Sequence, residues 1–574
     1  MAKHFLGWLT VAGFAALAAA GCSGSIADSS NPPGDKGNVT MPPGTGGQVT
    51  TPTPTPTPCT ADASLAPARI WRLTDEQYVN VVAQVFGVRV PSSITEADTA
   101  PADFTATAES PELTVQANTV NAYATAAHTA AAAAVYANLN VFLPSGATAP
   151  PDAEVEQFIR ARVARAFGRP VTDGEVSDLL SIYHTGLSTE SAGAGIRLII
   201  EATLQSPSFL YRTELGTTTS GKKTALTANE LATAVSFALL DSVPDDQLWA
   251  KAESSALLKP AVLAAEIDRL LAEPAVQANL GQKAGYWLGV EKIRSMVPKN
   301  ATAFPDFNAP LTQDLYKSGE LFVTDLVARG TVAQLLTSDT LYASSGVAKL
   351  YGLSGVSGTD LTAVHAGSSR AAGIITQPGI LAAWSQPSSD GDPNRGDVIH
   401  RGLFIYNALV CGISIGQPPD NAAAVASTFP PMATEREKAQ LRATAKEGCG
   451  ACHGLFDPLG LATEQYDPIG RYAPKDASGQ VIDASSTLAH LGTDLDGPIS
   501  GLPDLVNKLK MGRRVSDCAV KNLSKPTIGR DDLLNDNSCD LQAVKDKLAA
   551  TGSFTDYYRA VFTSPGFLTR DLTP

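Results

Sequence analysis

The chain has 574 residues, of which 44% are hydrophobic and 17% are charged. This composition is that of a globular protein and excludes wholesale disorder. The formal net charge of −14 and the lack of any Lys/Arg run argue against binding nucleic acid or an anionic membrane surface through charge.

The first 22 residues are typical of an export signal. Lys3 precedes an apolar run over residues 5–17 that is too short and too rich in Ala to be a stable membrane span. The run ends in AAAGC at residues 18–22, which resembles the lipobox of bacterial lipoproteins. We therefore expect cleavage before Cys22 and a lipid anchor on its thiol, facing the periplasm or the cell surface. Ala19 occupies a position where Leu is usual, so plain secretion stays open.

Residues 23–65 form a linker that is rich in Gly, Ser, Thr and Pro. Four Thr-Pro pairs over residues 51–58 favour extended polyproline II, which would add about 25 Å of semi-rigid reach at ~3.1 Å per residue. This composition predicts a spacer between the anchor and the folded part.

From residue 66 onward the pattern is mainly helical. Capping-box pairs open three predicted helices, with Thr74, Thr172 and Thr227 each followed three residues later by Gln or Glu. Apolar residues follow the first and third of these starts at helical spacing, and strand-like alternation is scarce. The fold class is therefore mostly α, with an N-terminal helical segment over 66–145 and a central helical domain over 224–352.

One internal repeat is visible. A Gly-Arg pair at residues 168–169 is followed, after a helical stretch, by a segment that begins with Ser-Pro at 206–214. A second Gly-Arg pair at 529–530 is followed in the same way by a similar Ser-Pro segment at 564–571. The intervals are nearly equal, which predicts two related helical modules, over 150–215 and 495–574, that pack together. A shared Ser-Pro helix-stop signal is the alternative. Tyr211, Arg212 and Glu214 in the first string either line a site or form a buried ion pair.

The segment 366–475 contains the pattern Cys-x-x-Cys-His at Cys449, Cys452 and His453. Two thiols one helical turn apart can bond the two vinyl groups on one edge of a porphyrin, and the adjacent His can bind the iron from below. The pattern predicts one covalent haem c with His453 as the proximal iron ligand. A structural zinc site and a Cys449–Cys452 disulfide are the alternatives.

Residues 454–460, which follow the motif, look like the loop that covers the haem edge in small cytochromes c. Backbone carbonyls beside Pro458 are expected to accept a hydrogen bond from the proximal imidazole. Arg471 is expected to pair with Asp457, with Asp467 or with a haem propionate. Alternatively, both Asp residues simply cap turns before Pro.

The second axial ligand of the iron would decide the function. Met511 and His490 lie downstream of the motif at distances reasonable for a small haem domain, and an open or water-bound position is the third option. Met432 and His400 lie upstream and are less natural ligands.

Several of these strings resemble one group of large exported bacterial proteins. They are RLTDEQY at 72–78, RAFGRP at 165–170, SPSFLYR at 206–212 and the block from 449 to 472. The group is built from serial domains of unknown function, the 1587, 1595, 1592, 1588 and 1585 series. The resemblance covers nearly everything from 66 to 572 and implies an uncharacterised, cytochrome c-like exported protein without a proven reaction.

The remaining cysteines are expected to form disulfides, because an exported chain lives in an oxidising environment. Cys518 and Cys539 lie in one C-terminal segment, which favours their pairing. Cys59 and Cys411 would then pair by elimination.

These observations together predict an exported haem protein that transfers electrons with a redox partner protein and touches the membrane through its lipid anchor alone. Two alternatives remain: an oxidative enzyme, peroxidase- or oxygenase-like, with an open iron position, and a surface interaction lipoprotein without haem. The sequence is compatible with an enzyme and with a protein that has no catalytic activity.

Overall fold

The computed structural model describes residues 59, 66–90, 117–296, 298–386, 396–413, 415, 422, 428–430, 433–445, 449–476, 479–529 and 538–572. These residues are mostly helical, which confirms the predicted fold class. The export signal with Cys22, the linker apart from Cys59, and Met432 lie outside the described residues. Within the described ranges, no helix combines the length and the apolar character that a bilayer span requires.

The N-terminal part of the fold, up to residue 210, is a set of helices around one hydrophobic core. Two of them begin at the capping boxes predicted from Thr74 and Thr172, with Gln77 and Glu175 completing the reciprocal bonds. The helices are Asp75–Phe86, Ala117–Phe142, Asp152–Phe158, Ala164–Phe167, Asp173–Thr189, Ala192–Gln205 and Pro207–Leu210, with a π-helical turn at Ile159–Val163.

The central segment opens at the third predicted capping box, formed by Thr227 and Glu230. Its first helix ends at Leu240 and is followed by Asp241 in the left-handed conformation, three residues before Pro244. The central helices are Ala228–Leu240, Asp246–Glu253, Pro260–Ala272, Pro274–Trp287, Ala309–Arg329, Val332–Thr337 and Ser345–Tyr351, and the strands Thr340–Ala343 and Thr362–His365 pair antiparallel.

The C-terminal part of the fold, from residue 378 onward, shares one large hydrophobic core with the central segment. The strands Ser486–Leu488 and Gly497–Ile499 form a hairpin between its helices. Those helices are Pro378–Ala383, Val398–Phe404, Glu435–Thr444, Cys449–Leu461, Leu502–Met511, Arg514–Ile528, Cys539–Thr551, Phe554–Thr563 and Pro565–Leu568, with a π-helical turn at Ile405–Leu409.

Short strands bring the two ends of the folded chain together. The strand Arg69–Arg72 pairs antiparallel with Tyr211–Glu214. The last strand, Thr569–Asp571, pairs with Lys223–Ala225, which in turn pairs with Thr218–Ser220. The Ala68 amide also donates to the Asp571 carbonyl at 2.8 Å, so the first and last strands lie beside each other.

The two predicted modules repeat the same local structure. Gly168 and Gly529 both end a helix in the left-handed conformation, with φ of 65° and 67°. Ser206 and Ser564 both cap a four-residue helix that is followed by a short strand. The Nε atom of Arg570 lies 2.7 Å from a Glu214 carboxylate oxygen, so the modules contact each other through a buried ion pair. Arg530 of the second pair lies outside the described residues.

The predicted pairing of the four outlying cysteines is wrong. The disulfides join Cys59 to Cys539 and Cys411 to Cys518, not Cys518 to Cys539 or Cys59 to Cys411. Cys518 lies on the buried face of the helix Arg514–Ile528, which packs against the π-helical turn Ile405–Leu409 just before Cys411. Proximity in sequence was a poor guide, because the Cys518 side chain faces the turn that leads to Cys411, with its sulfur 3.4 Å from the Ala408 carbonyl oxygen.

Candidate haem-binding site

The Cys-x-x-Cys-His motif lies in the first turns of the helix Cys449–Leu461, here called the motif helix. Cys449 and Cys452 are half-buried free thiols, which contradicts the alternative of a structural disulfide between them. Both are therefore available for thioether bonds.

The expectation of a loop after the motif is wrong, because residues 454–460 continue the motif helix and include Pro458. Proline inside a helix removes one backbone hydrogen bond. Burial of Leu455, Phe456 and Leu459 offsets that loss.

Two glycines fix the motif helix against the helix Val398–Phe404. A Cβ atom on Gly402 would overlap the Phe456 carbonyl, and one on Gly460 would overlap the Val398 carbonyl. The two backbones are therefore in direct contact, a distance that only glycine permits. Sequence reasoning missed both glycines, since neither stands in a turn pattern.

The imidazole of His453 is held by a buried carboxylate. Its Nδ1 atom lies 3.0 Å from Asp457 Oδ1, one helical turn further along. Asp457 is 2% exposed, and its other oxygen accepts from Arg442 Nε at 2.7 Å. The expected acceptor, a carbonyl beside Pro458, is not used for this bond, and the Pro458 carbonyl accepts from the Ser486 hydroxyl instead. The Arg442–Asp457–His453 chain places the proton on Nδ1 and leaves Nε2 to bind a metal.

The chain after the motif helix is fixed by two arginines. The Nε atom of Arg471 lies 2.6 Å from an Asp467 carboxylate oxygen. Of the three partners expected for Arg471, which were Asp457, Asp467 and a haem propionate, the structure shows Asp467. The same carboxylate accepts from the backbone amides of Ile469 and Arg471, so it also caps the turn. Arg401 donates to the backbone carbonyls of Tyr466 and Asp467, and burial lowers its pKa to about 10.

A groove of about 700 Å³ lies beside His453. Its walls are the helix Glu435–Thr444, the motif helix and the hairpin of Ser486–Leu488 with Gly497–Ile499. Ala439, Leu461 and Ile499 supply apolar surface, while Arg436 and several hydroxyl side chains supply polar groups. The volume and this mixed lining fit a haem, whose ring is apolar and whose propionates are charged. Of the three motif residues His453 lines the groove, and the thiols lie toward the start of the helix.

None of the expected second iron ligands among the described residues lines this groove. Met511 is 85% exposed at the end of its helix. His490 is exposed in a left-handed turn with φ of 63°. His400 is paired with Asp397 at 2.6 Å. Across the described ranges, no three His, Cys, Asp or Glu side chains are grouped as a metal site would require.

Three segments of the chain match family models, each described as a protein of unknown function. They are DUF1595 over residues 154–214, DUF1592 over 226–353 and DUF1588 over 371–476, and the last contains the motif. The name of that model, PSCyt3, denotes a cytochrome-like domain. No curated protein and no solved structure matches the chain.

The fold and the site thus define a mostly helical protein with a cytochrome-like segment. By its three matches, the chain belongs to the group of proteins built from these serial domains of unknown function. The domain boundaries given above stay predictions.

Proposed function

We propose that this protein is an exported c-type haem protein that transfers electrons. One haem c is attached through Cys449 and Cys452, and His453 is the proximal iron ligand. The observation that carries the proposal is the Arg442–Asp457–His453 chain beside a groove of haem size. A histidine whose second nitrogen is bonded to a buried carboxylate is the arrangement that protein metal ligands commonly have.

The residues of the chain have separate roles. Asp457 holds the imidazole in one orientation and makes it a stronger electron donor, while Arg442 pairs with the carboxylate in its buried position at 2.7 Å. Arg436 lines the groove and could pair with a haem propionate; its Nη2 atom lies 3.2 Å from the Asp483 carboxylate and donates to the backbone carbonyls of Asp483 and Ser485. When bound, a haem supplies one-electron chemistry at its iron.

The solvent exposure of the residues around the groove supports electron transfer to a partner protein over catalysis in a closed pocket. Gln440, Thr487, Pro498 and Ser500 line the groove and are all exposed to solvent. A haem held in this groove would have an edge near the surface, where a redox partner protein could approach it.

Export and lipidation are part of the proposal. Residues 1–21 would be removed and Cys22 lipidated, with the linker 23–65 carrying the folded part away from a membrane at the periplasmic or outer face. The two disulfides support an oxidising compartment. The net charge of −14 supports a protein partner over nucleic acid.

A second candidate is an oxidative enzyme with an open iron position. It is favoured by the placement of Met511 and His490 away from the groove, because an iron with one protein ligand keeps a coordination position for a small molecule. Rapid binding of carbon monoxide to the reduced protein is the result expected for an open position. Slow or absent binding would favour electron transfer with both axial positions filled.

Mass spectrometry of proteolytic peptides tests the attachment directly. In the protein expressed with a haem c maturation system, the peptide with Cys449 and Cys452 is expected to carry the mass of one haem. The Cys449→Ser, Cys452→Ser double variant should lose this mass, and the Cys411→Ser variant should keep it. An unmodified Cys449–Cys452 peptide in the mature wild-type protein would refute the proposal.

A further inference from the structure

A cluster of buried arginines lies where the first strand, the first module and the last strand meet. The guanidinium groups of Arg69 and Arg570 both contact the same Glu214 oxygen, at 3.0 and 2.7 Å. Arg212, on the same strand as Glu214, stacks between the rings of Trp71 and Phe237. Three cations thus surround a single carboxylate.

The charges of this cluster do not cancel. Burial alone raises the pKa of Glu214, but the three arginines outweigh it and lower the pKa to about 2, so the carboxylate is ionised. Burial lowers the pKa of Arg69 to about 10, which leaves it charged at neutral pH. Asp241, which also acts on Arg212, is already paired with Lys283 at 3.0 Å. The cluster therefore keeps an excess of positive charge away from bulk water, which is costly without a counter-ion.

Donor atoms in this cluster are left without acceptors. Arg570 is fully buried, and its Nε and Nη1 atoms donate to Glu214 and to backbone carbonyls. Its Nη2 atom, the Nε atom of Arg212 and the Nε1 atom of Trp71 are buried and find no acceptor among the described residues. An unpaired buried donor destabilises the folded state, and it does so more strongly when it is charged.

A small cavity lies among these three residues. Its volume is about 30 Å³, and Arg69, Trp71, Arg212, Glu214 and Arg570 are among its lining residues. A space of this size holds one or two water-sized particles and is too small for a phosphate ester or a carboxylic metabolite. Its unpaired polar atoms are all donors, which selects an anion over a cation.

We propose that this cavity binds one small monovalent inorganic anion, chloride, through the Arg570, Arg212 and Trp71 donors. The anion offsets the excess positive charge between the two modules. It thereby stabilises the contact that closes the first strand onto the last.

Thermal unfolding of the full chain tests this site, with chloride replacing gluconate at constant ionic strength. The melting temperature is expected to rise with chloride and then to saturate, as for a ligand that binds the folded state alone. Trp71→Phe removes one donor and keeps an aromatic ring, and should weaken the apparent chloride affinity about tenfold. Trp249→Phe is the matched control, since Trp249 also stacks on an arginine, Arg165, but lies outside the cavity.

A chloride-independent melting temperature would overturn the proposal. So would an equal, saturable rise in the wild-type protein and in Trp71→Phe. If Trp71→Phe does not fold, crystals of the wild-type chain grown with bromide decide the question. An anomalous peak within hydrogen-bond distance of Arg570 Nη2 supports the site, and its absence rejects it.

Discussion

In the proposed haem site, we expect the His453 imidazole to be a stronger iron ligand than its position in the motif alone implies. The imidazole donates its Nδ1 proton to Asp457, whose carboxylate is 2% exposed and therefore poorly screened by water. Charge on that carboxylate increases the electron density at Nε2 and favours the ferric state of a bound iron. We expect a low reduction potential as a result.

Replacing Asp457 by Asn tests this effect. An amide of the same shape keeps a hydrogen-bond acceptor but removes the negative charge, so the reduction potential should rise. A tenfold change in the preference for ferric iron corresponds to about 60 mV for one electron. We expect a rise of at least that size in a spectroelectrochemical titration.

Asp467→Asn provides the matched control. Asp467 is also a buried carboxylate that pairs with an arginine, but it contacts Arg471 and not His453. The reduction potential of the Asp467→Asn variant should therefore stay close to that of the wild-type protein. Equal potentials in all three proteins would show that the Asp457 bond does not tune the iron.

Met511 gives a second prediction about a single side chain. Because it is 85% exposed and lies away from the groove, its thioether should not bind the iron. The Met511→Ala variant is expected to keep the wild-type reduction potential and the wild-type absorption spectrum. A large drop in potential would mean that Met511 reaches the iron when haem is bound.

The backbone contact between the motif helix and the helix Val398–Phe404 sets the position of His453. Gly402→Ala introduces a Cβ atom into the Phe456 carbonyl, so one helix must shift. Overpacking of this kind costs about 1–3 kcal/mol. We expect a lower melting temperature and a reduced haem content, measured by calorimetry and by the haem absorbance per protein.

The control for Gly402→Ala is Gly174→Ala in the helix Asp173–Thr189. A Cβ atom there would contact only the Thr172 hydroxyl, at 3.9 Å. Alanine favours the helix over glycine by up to about 1 kcal/mol, so the melting temperature should hold or rise. If both variants lose the same stability, the close approach at Gly402 has no special role.

Local signals predicted the helices better than they predicted the contacts between helices. The capping boxes at Thr74, Thr172 and Thr227 were correct, because a cap depends on residues within one turn. The bond between His453 and Asp457 was missed, because residues 454–460 were expected to form a loop and the i, i+4 spacing has meaning only within a helix. Arg442 lies on another helix, and no local pattern links it to Asp457.

The disulfides join parts of the molecule that are remote in sequence. Cys59 and Cys539 are 480 residues apart, and their bond ties the end of the linker to the C-terminal module. Pairing of this kind follows from the closure of the chain ends, which depends on the assembled fold and not on spacing. The sequence therefore indicated that these four cysteines pair but not which partner each takes.

Non-reducing peptide mapping is expected to recover the Cys59–Cys539 and Cys411–Cys518 linkages. The Cys411→Ser, Cys518→Ser double variant should lose stability, typically by about 2–5 kcal/mol for a native disulfide. A denaturant titration beside the wild-type protein measures this loss. Recovery of a Cys518–Cys539 peptide would contradict the arrangement described above.

The pyridine haemochrome spectrum of the purified full chain shows whether a haem c is bound through Cys449 and Cys452. We expect the c-type band of a haem with two thioether bonds, at one haem per chain, and its loss in the Cys449→Ser, Cys452→Ser variant. A protein matured in a competent host that shows no c-type band would contradict the claim.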